Sequence, residues 1–233
     1  MKKILLLLSF AYLSHCASPP PVKTSNDVGA LAISVGLYAP VALMGAKAPE
    51  VVYFLKVNPG KPFTDSKEVI VSNYSNGDRF YAFNAKPGTY VAIAAFYKVS
   101  AAPGGGSSSS SNVGGGTLSV SVQPGPTDYI TFFSEQIAQT TLTEMKAGQV
   151  AYMGNLTADM SLSLEKADKL QTHSSNLIKP GALSSSLGKS MLSGSYNYLG
   201  ILKKNDNSEA AKKEFKETSS SKELEESEWK KGL

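Results

Sequence analysis

From Val28 to Lys166 the chain is a succession of short apolar runs with a period of two, closed by glycine, proline or asparagine turns. None of these runs carries the 3.6-residue period of an amphipathic helix, so the segment is constrained to strands. VGALAISVGLY sets Leu31, Ile33, Val35 and Leu37 on one face and small residues on the other. APVALMGAKAP then reads as a loop between Pro40 and Pro49, and EVVYFLKVNPG as a strand closed by a Pro-Gly turn. EVIVSNYSNGDRFYAFNA reads as one hairpin, with Asn76-Gly77 supplying the positive φ values of a tight turn.

After the Lys86-Pro87-Gly88-Thr89 turn, TYVAIAAFYKVS opposes Tyr90, Ala92, Ala94 and Phe96 to Val91, Ile93, Ala95 and Tyr97. Both faces are apolar, which places this strand near the middle of a sheet. The Gly/Ser-rich stretch that follows, residues 102–116, has only Val113 as an apolar side chain, and it is expected to be a disordered hairpin loop. It lacks the Lys-Ser/Thr and the following helix of a phosphate-binding loop. TLSVSVQPG, DYITFFSEQ and AGQVAYMGNLTADMSLSLEK add further strands, with Leu118, Val120 and Val122 inward and a kink at Gly154-Asn155. The expected fold is therefore mainly β, an antiparallel β-sandwich over residues 28–202. THSSNLIKPGALSSSLGKS is expected as a loop over the sandwich and SGSYNYLGILKKN as one more strand. Residues 203–233 carry eight lysines and eight acidic residues and read as a charged helical tail. Asn207 or Ser208 is the candidate N-cap of a first helix, with Ala211 and Phe215 on one face. Ser221 is that of a second, with Leu224 and Trp229 as its apolar anchors and Trp229 available to dock on the core.

The first residues, MKKILLLLSFAYLSH, have two lysines followed by an apolar run too short to span a bilayer. They have the build of a signal peptide over residues 1–15. The only cysteine, Cys16, comes next, in LSHC. This resembles the lipobox of bacterial lipoproteins, with Leu13 three places before the cysteine. His15 departs from the small residue usual at that position, as in the looser lipoboxes of spirochaetes. The resemblance implies cleavage before Cys16, diacylglycerol on its sulfur and an acyl chain such as palmitate on its new amino group. Each buried CH2 would add about 0.8 kcal/mol of membrane affinity. Residues 16–27 then read as a lipidated cysteine and a flexible tether that holds the domain away from the headgroups. Ala17, in place of the aspartate that retains enteric lipoproteins at the inner membrane, implies outer-membrane delivery.

A second resemblance rests on Pro87, Gly88 and Tyr90 of PGTY and on Gly148, Tyr152 and Gly154 of AGQVAYMG. Over roughly residues 50–166 the pattern resembles small bacterial envelope lipoproteins with a transthyretin-like or carboxypeptidase-regulatory-like β-sandwich. That family implies a non-catalytic domain and supplies no active site.

The materials for catalysis are scarce. Without the signal, His173 is the remaining histidine, expected on an exposed loop, and Cys16 is taken by lipid, so neither thiol chemistry nor disulfides are expected. There is no zinc-ligand spacing, and Asn205-Asp206-Asn207 lacks the glycine and glutamate of a calcium loop. Asp128, Glu135 and Asp159 lie at expected strand ends. No catalytic residue, cofactor or metal ligand is assigned. After loss of Lys2 and Lys3 the balance is 21 basic to 19 acidic residues, a surplus of 2 that gives no reason to expect nucleic acid. Tyrosines 74, 81, 90, 97, 196 and 198 could form an outward platform for glycan or protein contacts, but core and edge packing explains them more simply. The expected role is a lipid-anchored envelope protein that binds a protein or glycan or is structural. The alternatives are an envelope hydrolase of peptidoglycan or polysaccharide using paired carboxylates, and a periplasmic small-molecule binder with a deep pocket between the sheets.

Overall fold

The structure is a computed structural model that describes residues 18–38, 46–47, 49–99, 107–113, 116–122, 127–161, 167–178 and 196–233. The expected signal peptide, Cys16, most of the 39–49 loop and the Ser-rich segment 179–195 lie outside the described residues.

The chain enters the fold with β1 (Gly29–Tyr38), β2 (Ala46–Lys47), β3 (Val51–Val57), β4 (Val69–Val71), β5 (Tyr74–Asn76), β6 (Arg79–Ala85) and β7 (Gly88–Val99). There follow β8 (Ser107–Val113), β9 (Gly116–Val122), β10 (Thr127–Phe133), helix α1 (Glu135–Thr140), β11 (Thr143–Met145) and β12 (Val150–Ser161). Helix α2 (Lys169–Leu177), β13 (Tyr196–Asp206) and helix α3 (Glu209–Thr218) complete it, and the chain closes through a π-type turn at Ser219–Glu223 and a 3-10 turn at Glu228–Gly232.

Among the described residues, strands pair in the order β4-β3-β7-β10-β13-β12-β1-β6-β5, with β11 added to β7 and β2 to β1. One cluster of buried side chains joins Val52, Phe54, Tyr90 and Ala92 of β3 and β7 to Leu31, Ile33, Phe80 and Met153 of β1, β6 and β12. These strands are far apart in the pairing order, so the sheet is folded over and its two halves face each other as a β-sandwich. The expected fold class therefore holds, with one addition. Most ladders are antiparallel, but β1 runs parallel to β12 and β10 parallel to β13. Hairpin turns produce antiparallel neighbours, whereas parallel partners meet through long crossovers that local sequence does not mark.

Each half of the sandwich is also covered on its outside. On the β3-β7-β10 half, Leu55, Ile93, Phe96 and Phe132 pack against Ala138 of α1 and Leu170 of α2. On the β12-β1-β6 half, Ala30, Ala32, Tyr81 and Phe83 pack against Phe215, Leu224 and Trp229 of the C-terminal segment. This explains why β1 and β7 are apolar on both faces, and β7 lies inside the sheet as expected, between β3 and β10.

Several local expectations change. The β3–β7 ladder slips a residue where Tyr53 pairs with Ala94 and Phe54 with Ala92. This bulge inverts the alternation beyond it. Ala94 and Phe96 therefore join Val91 and Ile93 on the outer side, and Ala95 joins Ala92 inside. The expected hairpin over residues 68–85 is shorter: β5 pairs with β6, but β4 pairs with β3 in the other half. Its turn is Gly77-Asp78, since Asn76 pairs with Arg79; Gly77 has φ of 62° while Asn76 is extended. A glycine in the first turn position suits a tight hairpin of type II′.

Within the Gly/Ser loop expected at residues 102–116, Ser107–Val113 pairs antiparallel with Gly116–Val122. Main-chain pairing needs no apolar side chain, and serine accepts an extended backbone. The inward placement of Leu118, Val120 and Val122 lies outside the described side chains. Gly154 does mark a kink in β12: it has φ of 117° and sits where the β1–β12 register shifts. The THSSN stretch is helical rather than a loop. Asp168 forms a capping box with Gln171, which supplies the start signal that the serines obscured.

Candidate functional site

The N-terminal segment and the C-terminal segment come together on the outer side of β6. Asn84 ends the exposed flank of β6 with φ of 63°, and Asn tolerates this left-handed conformation better than most residues. Its amide grips the incoming chain: Nδ2 donates to the carbonyl of Val22 at 2.9 Å, and Oδ1 accepts from the Thr24 backbone N–H at 2.9 Å. Trp229 Nε1 donates to the carbonyl of Pro21 at 2.7 Å, and Lys23 Nζ stands 5.9 Å from the Trp229 ring centre. Residues 21–24 are thus fastened to the body. Of the flexible tether expected over residues 16–27, residues 21–24 are corrected accordingly, because Trp229 and Asn84 satisfy backbone groups that proline-rich chains ordinarily leave to water. Cys16 and Ala17 lie outside the described residues.

The C-terminal segment is held by aromatic packing and by a partly buried ionic network. Phe83 stacks on Tyr81 at 5.2 Å between ring centres and meets Trp229 at 4.9 Å; Tyr152 stacks on Phe215 at 4.2 Å. Ala30 and Ala32 beneath them leave depth for these rings. Burying Phe215, Leu224 and Trp229 contributes about 1.5–3 kcal/mol apiece. The Glu223 carboxylate accepts from the Arg79 guanidinium and from the Tyr81 hydroxyl, which also lies 3.0 Å from Ser219 Oγ. Burial, and then the Glu223 carboxylate, push the Tyr81 phenol well above its usual range. Ser208 caps α3 as expected, its side chain accepting from the Ala211 N–H. Ser221 does not start a second α-helix; it lies within the π-type turn. The tail is therefore a covering layer, and strand β13 runs to Asp206, past the boundary expected at residue 202.

Between these two segments lies an open groove of about 700 Å³. It is lined by residues 18–23, by Tyr74 and Asn76 of β5, and by Lys222, Glu223 and residues 225–229. Ser18 and Tyr74 also border a smaller depression of about 370 Å³ that continues towards Glu50 and Asn73. Glu225, Glu226 and Glu228 face solvent along one turn of the groove wall, while Glu223 is engaged by Arg79.

Of the expected platform, Tyr81 and Tyr90 are fully buried, and Tyr74 is half-buried at the groove. Tyr90 donates to the Lys86 carbonyl at 2.6 Å, and burial, with Glu68 nearby, pushes its phenol up to about 12. These are packing residues. The side chains of Tyr97, Tyr196 and Tyr198 lie outside the described residues. His173 is on α2 rather than on a loop, half-buried, with Nε2 2.6 Å from the Ser66 carbonyl. Glu135 opens α1, Asp159 pairs with Lys203 at 3.0 Å, and the side chain of Asp128 is not among those described. Asn205 donates to the Thr140 carbonyl at 2.7 Å, and Asp206 accepts from the Ser208 N–H at 3.1 Å, so this trio shapes the turn into α3. Among the described residues, no three His, Cys, Asp or Glu side chains gather as metal ligands. The groove was not legible in the sequence, since its two walls are about 200 positions apart; the sole tryptophan beside a glutamate run was its one local signal.

No family model matches the chain, and no curated protein does. One solved structure, a Pseudomonas aeruginosa protein described as a "putative carbohydrate binding protein", aligns with 47% of this chain and 83% of its own at 11% identity. Its TM-score of 0.20 is too low for it to bear on fold or function.

Proposed function

We propose that this chain is a lipid-anchored bacterial envelope protein, joined to the membrane through Cys16, whose body binds an envelope protein or glycan or serves a structural role. The observation that carries this reading is where the folded body starts. Among the described residues, the first backbone group held by a side chain of another element is the Pro21 carbonyl, five residues after Cys16, so the motif stands close ahead of the chain's first fastening to the body. The LSHC motif thus stands between a signal-like run and the fastened residues 21–24. Outer-membrane residence and kinship with the transthyretin-like envelope lipoproteins are parts of the same proposal.

A binding role suits the body better than a hydrolytic one. Of the groove-wall carboxylates, Glu225, Glu226 and Glu228 are exposed and Glu223 is ion-paired with Arg79, whereas a general acid is usually kept protonated by an apolar setting. The space between the two halves of the sandwich is filled by large side chains such as Phe54, Phe80, Phe133 and Met153, which disfavours a deep small-molecule site there.

The test is mass spectrometry of the amino-terminal peptide from protein made by its native host. The expected peptide begins at Cys16 and is heavier by a diacylglycerol and a fatty acid. A free thiol at residue 16, or a mature chain starting elsewhere, would refute the anchor.

A further inference from the structure

We infer that the groove face, made by residues 18–23, Tyr74, Asn76, Lys222, Glu223 and residues 225–229, lies against the bilayer. This rests on the proposed lipid at Cys16 and adds the orientation of the body. The Pro21 carbonyl is pinned by Trp229, and Val22 and Thr24 are pinned by Asn84. Ser18 already lines the groove. Two residues span at most about 7 Å, and the five from Cys16 to Pro21 at most about 18 Å. The sulfur of a diacylglycerol-bearing cysteine sits in the headgroup layer, which is itself only about 5–8 Å thick. A body fastened this closely cannot stand off from the membrane. The anchor leaves from the groove, so the groove is what it draws down.

The surface chemistry agrees with a lipid neighbour. Val22 is 76% exposed, the most exposed large apolar side chain reported among the described residues, and it belongs to this same segment. With Glu223 neutralised by Arg79, the groove lining carries Lys23 and Lys222 against Glu225, Glu226 and Glu228. One negative charge is in excess, so the lining has no electrostatic attraction to an anionic leaflet. Contact is therefore set by the short anchor and by Val22 rather than by charge, and a zwitterionic surface suffices.

Trp229, the only tryptophan, lies at the groove and is a built-in donor for energy transfer. The experiment places the lipidated protein in phosphatidylcholine vesicles containing headgroup-dansylated lipid. The comparison is a variant with twenty Gly/Ser residues inserted between Ala17 and Ser18, outside the described body. A flexible insert of that length adds about 25 Å of mean reach and should lower transfer from Trp229 by about threefold or more. Val22→Asp should lower it to a smaller degree without loss of flotation. Equal transfer in the wild type and the spacer variant, with both co-floating, would overturn the orientation. To separate this from failure of native lipidation, the chain from residue 16 is also coupled through its single thiol to a maleimide lipid. The same contrast is expected there, and its absence would overturn the orientation whatever the native modification proves to be.

Discussion

The indole Nε1 of Trp229 donates a 2.7 Å hydrogen bond to the carbonyl of Pro21, across 208 positions of sequence. One contact thus joins the start of the folded body to its end, and the groove lies between them. The two segments hold each other: the indole has its polar partner only if the proline tract is in place, and the tract has its fixed path only if the indole is docked.

Replacing Trp229 separates these contributions. Trp229→Phe keeps most of the ring contact with Phe83 but loses the hydrogen bond, and should cost about 0.5–1.5 kcal/mol. Trp229→Ala also removes the packing and should cost about 3–5 kcal/mol. Urea unfolding measures both, and limited proteolysis should cut ahead of Val28 faster in each variant than in the wild type.

The Arg79–Glu223 pair is a second fastening. Side-chain exposure is 20% for Arg79 and 5% for Glu223. Glu223→Ala leaves the guanidinium and the Tyr81 hydroxyl without their shared acceptor and should destabilise by about 3 kcal/mol. Hydrogen exchange should show the loss concentrated in residues 208–233, and a double-mutant cycle with Arg79→Ala should recover part of it.

Truncation tests whether the charged tail is an appendage or a layer. A chain ending at Asn207 exposes Ala30, Ala32, Tyr81 and Phe83 to water. It should be insoluble or bind hydrophobic dyes strongly, while a soluble, cooperative truncated body would contradict the assignment of the tail as a covering layer.

Gly154 is fixed by space and by conformation. A Cβ there would collide with Asn205 Oδ1, and φ is 117°. Gly154→Ala should destabilise by about 1–3 kcal/mol in urea unfolding. Gly36→Ala, where nothing lies within 4 Å of the added carbon and φ is ordinary, should be nearly neutral.

Stability should fall on the alkaline side. Tyr53, Tyr74, Tyr81, Tyr90 and Tyr152 all have phenols raised above the usual 10, burial being the first cause in each. Above that pH the unfolded chain gives up these protons while the folded one retains them, so unfolding releases protons and rising pH favours it. The Tyr90 contribution is fully present below pH 10 and lost as pH climbs towards about 12. Unfolding followed by tyrosinate absorbance should show a cooperative base transition; independent titration at ordinary pKa would count against these burials.

What the sequence settled by itself was local. Alternation in VGALAISVGLY and TYVAIAAFYKVS marked strands, doubly apolar faces marked an interior position, and Asn207-Ser208 marked a helix start, because period and capping act over a few residues. What only the tertiary structure decided was long-range. The parallel partnership of β1 with β12, the bulge that turns Ala94 and Phe96 outward, and the docking of Phe215, Leu224 and Trp229 all depend on surfaces supplied by distant segments. The tail reads as solvated because its apolar residues are few and charges surround them, yet Phe215, Trp229 and Leu224 suffice once β1 and β6 offer a matching face. The groove belongs to this second class: charge and apolar period describe each wall alone, and only folding brings Pro21 and Trp229 within hydrogen-bond reach.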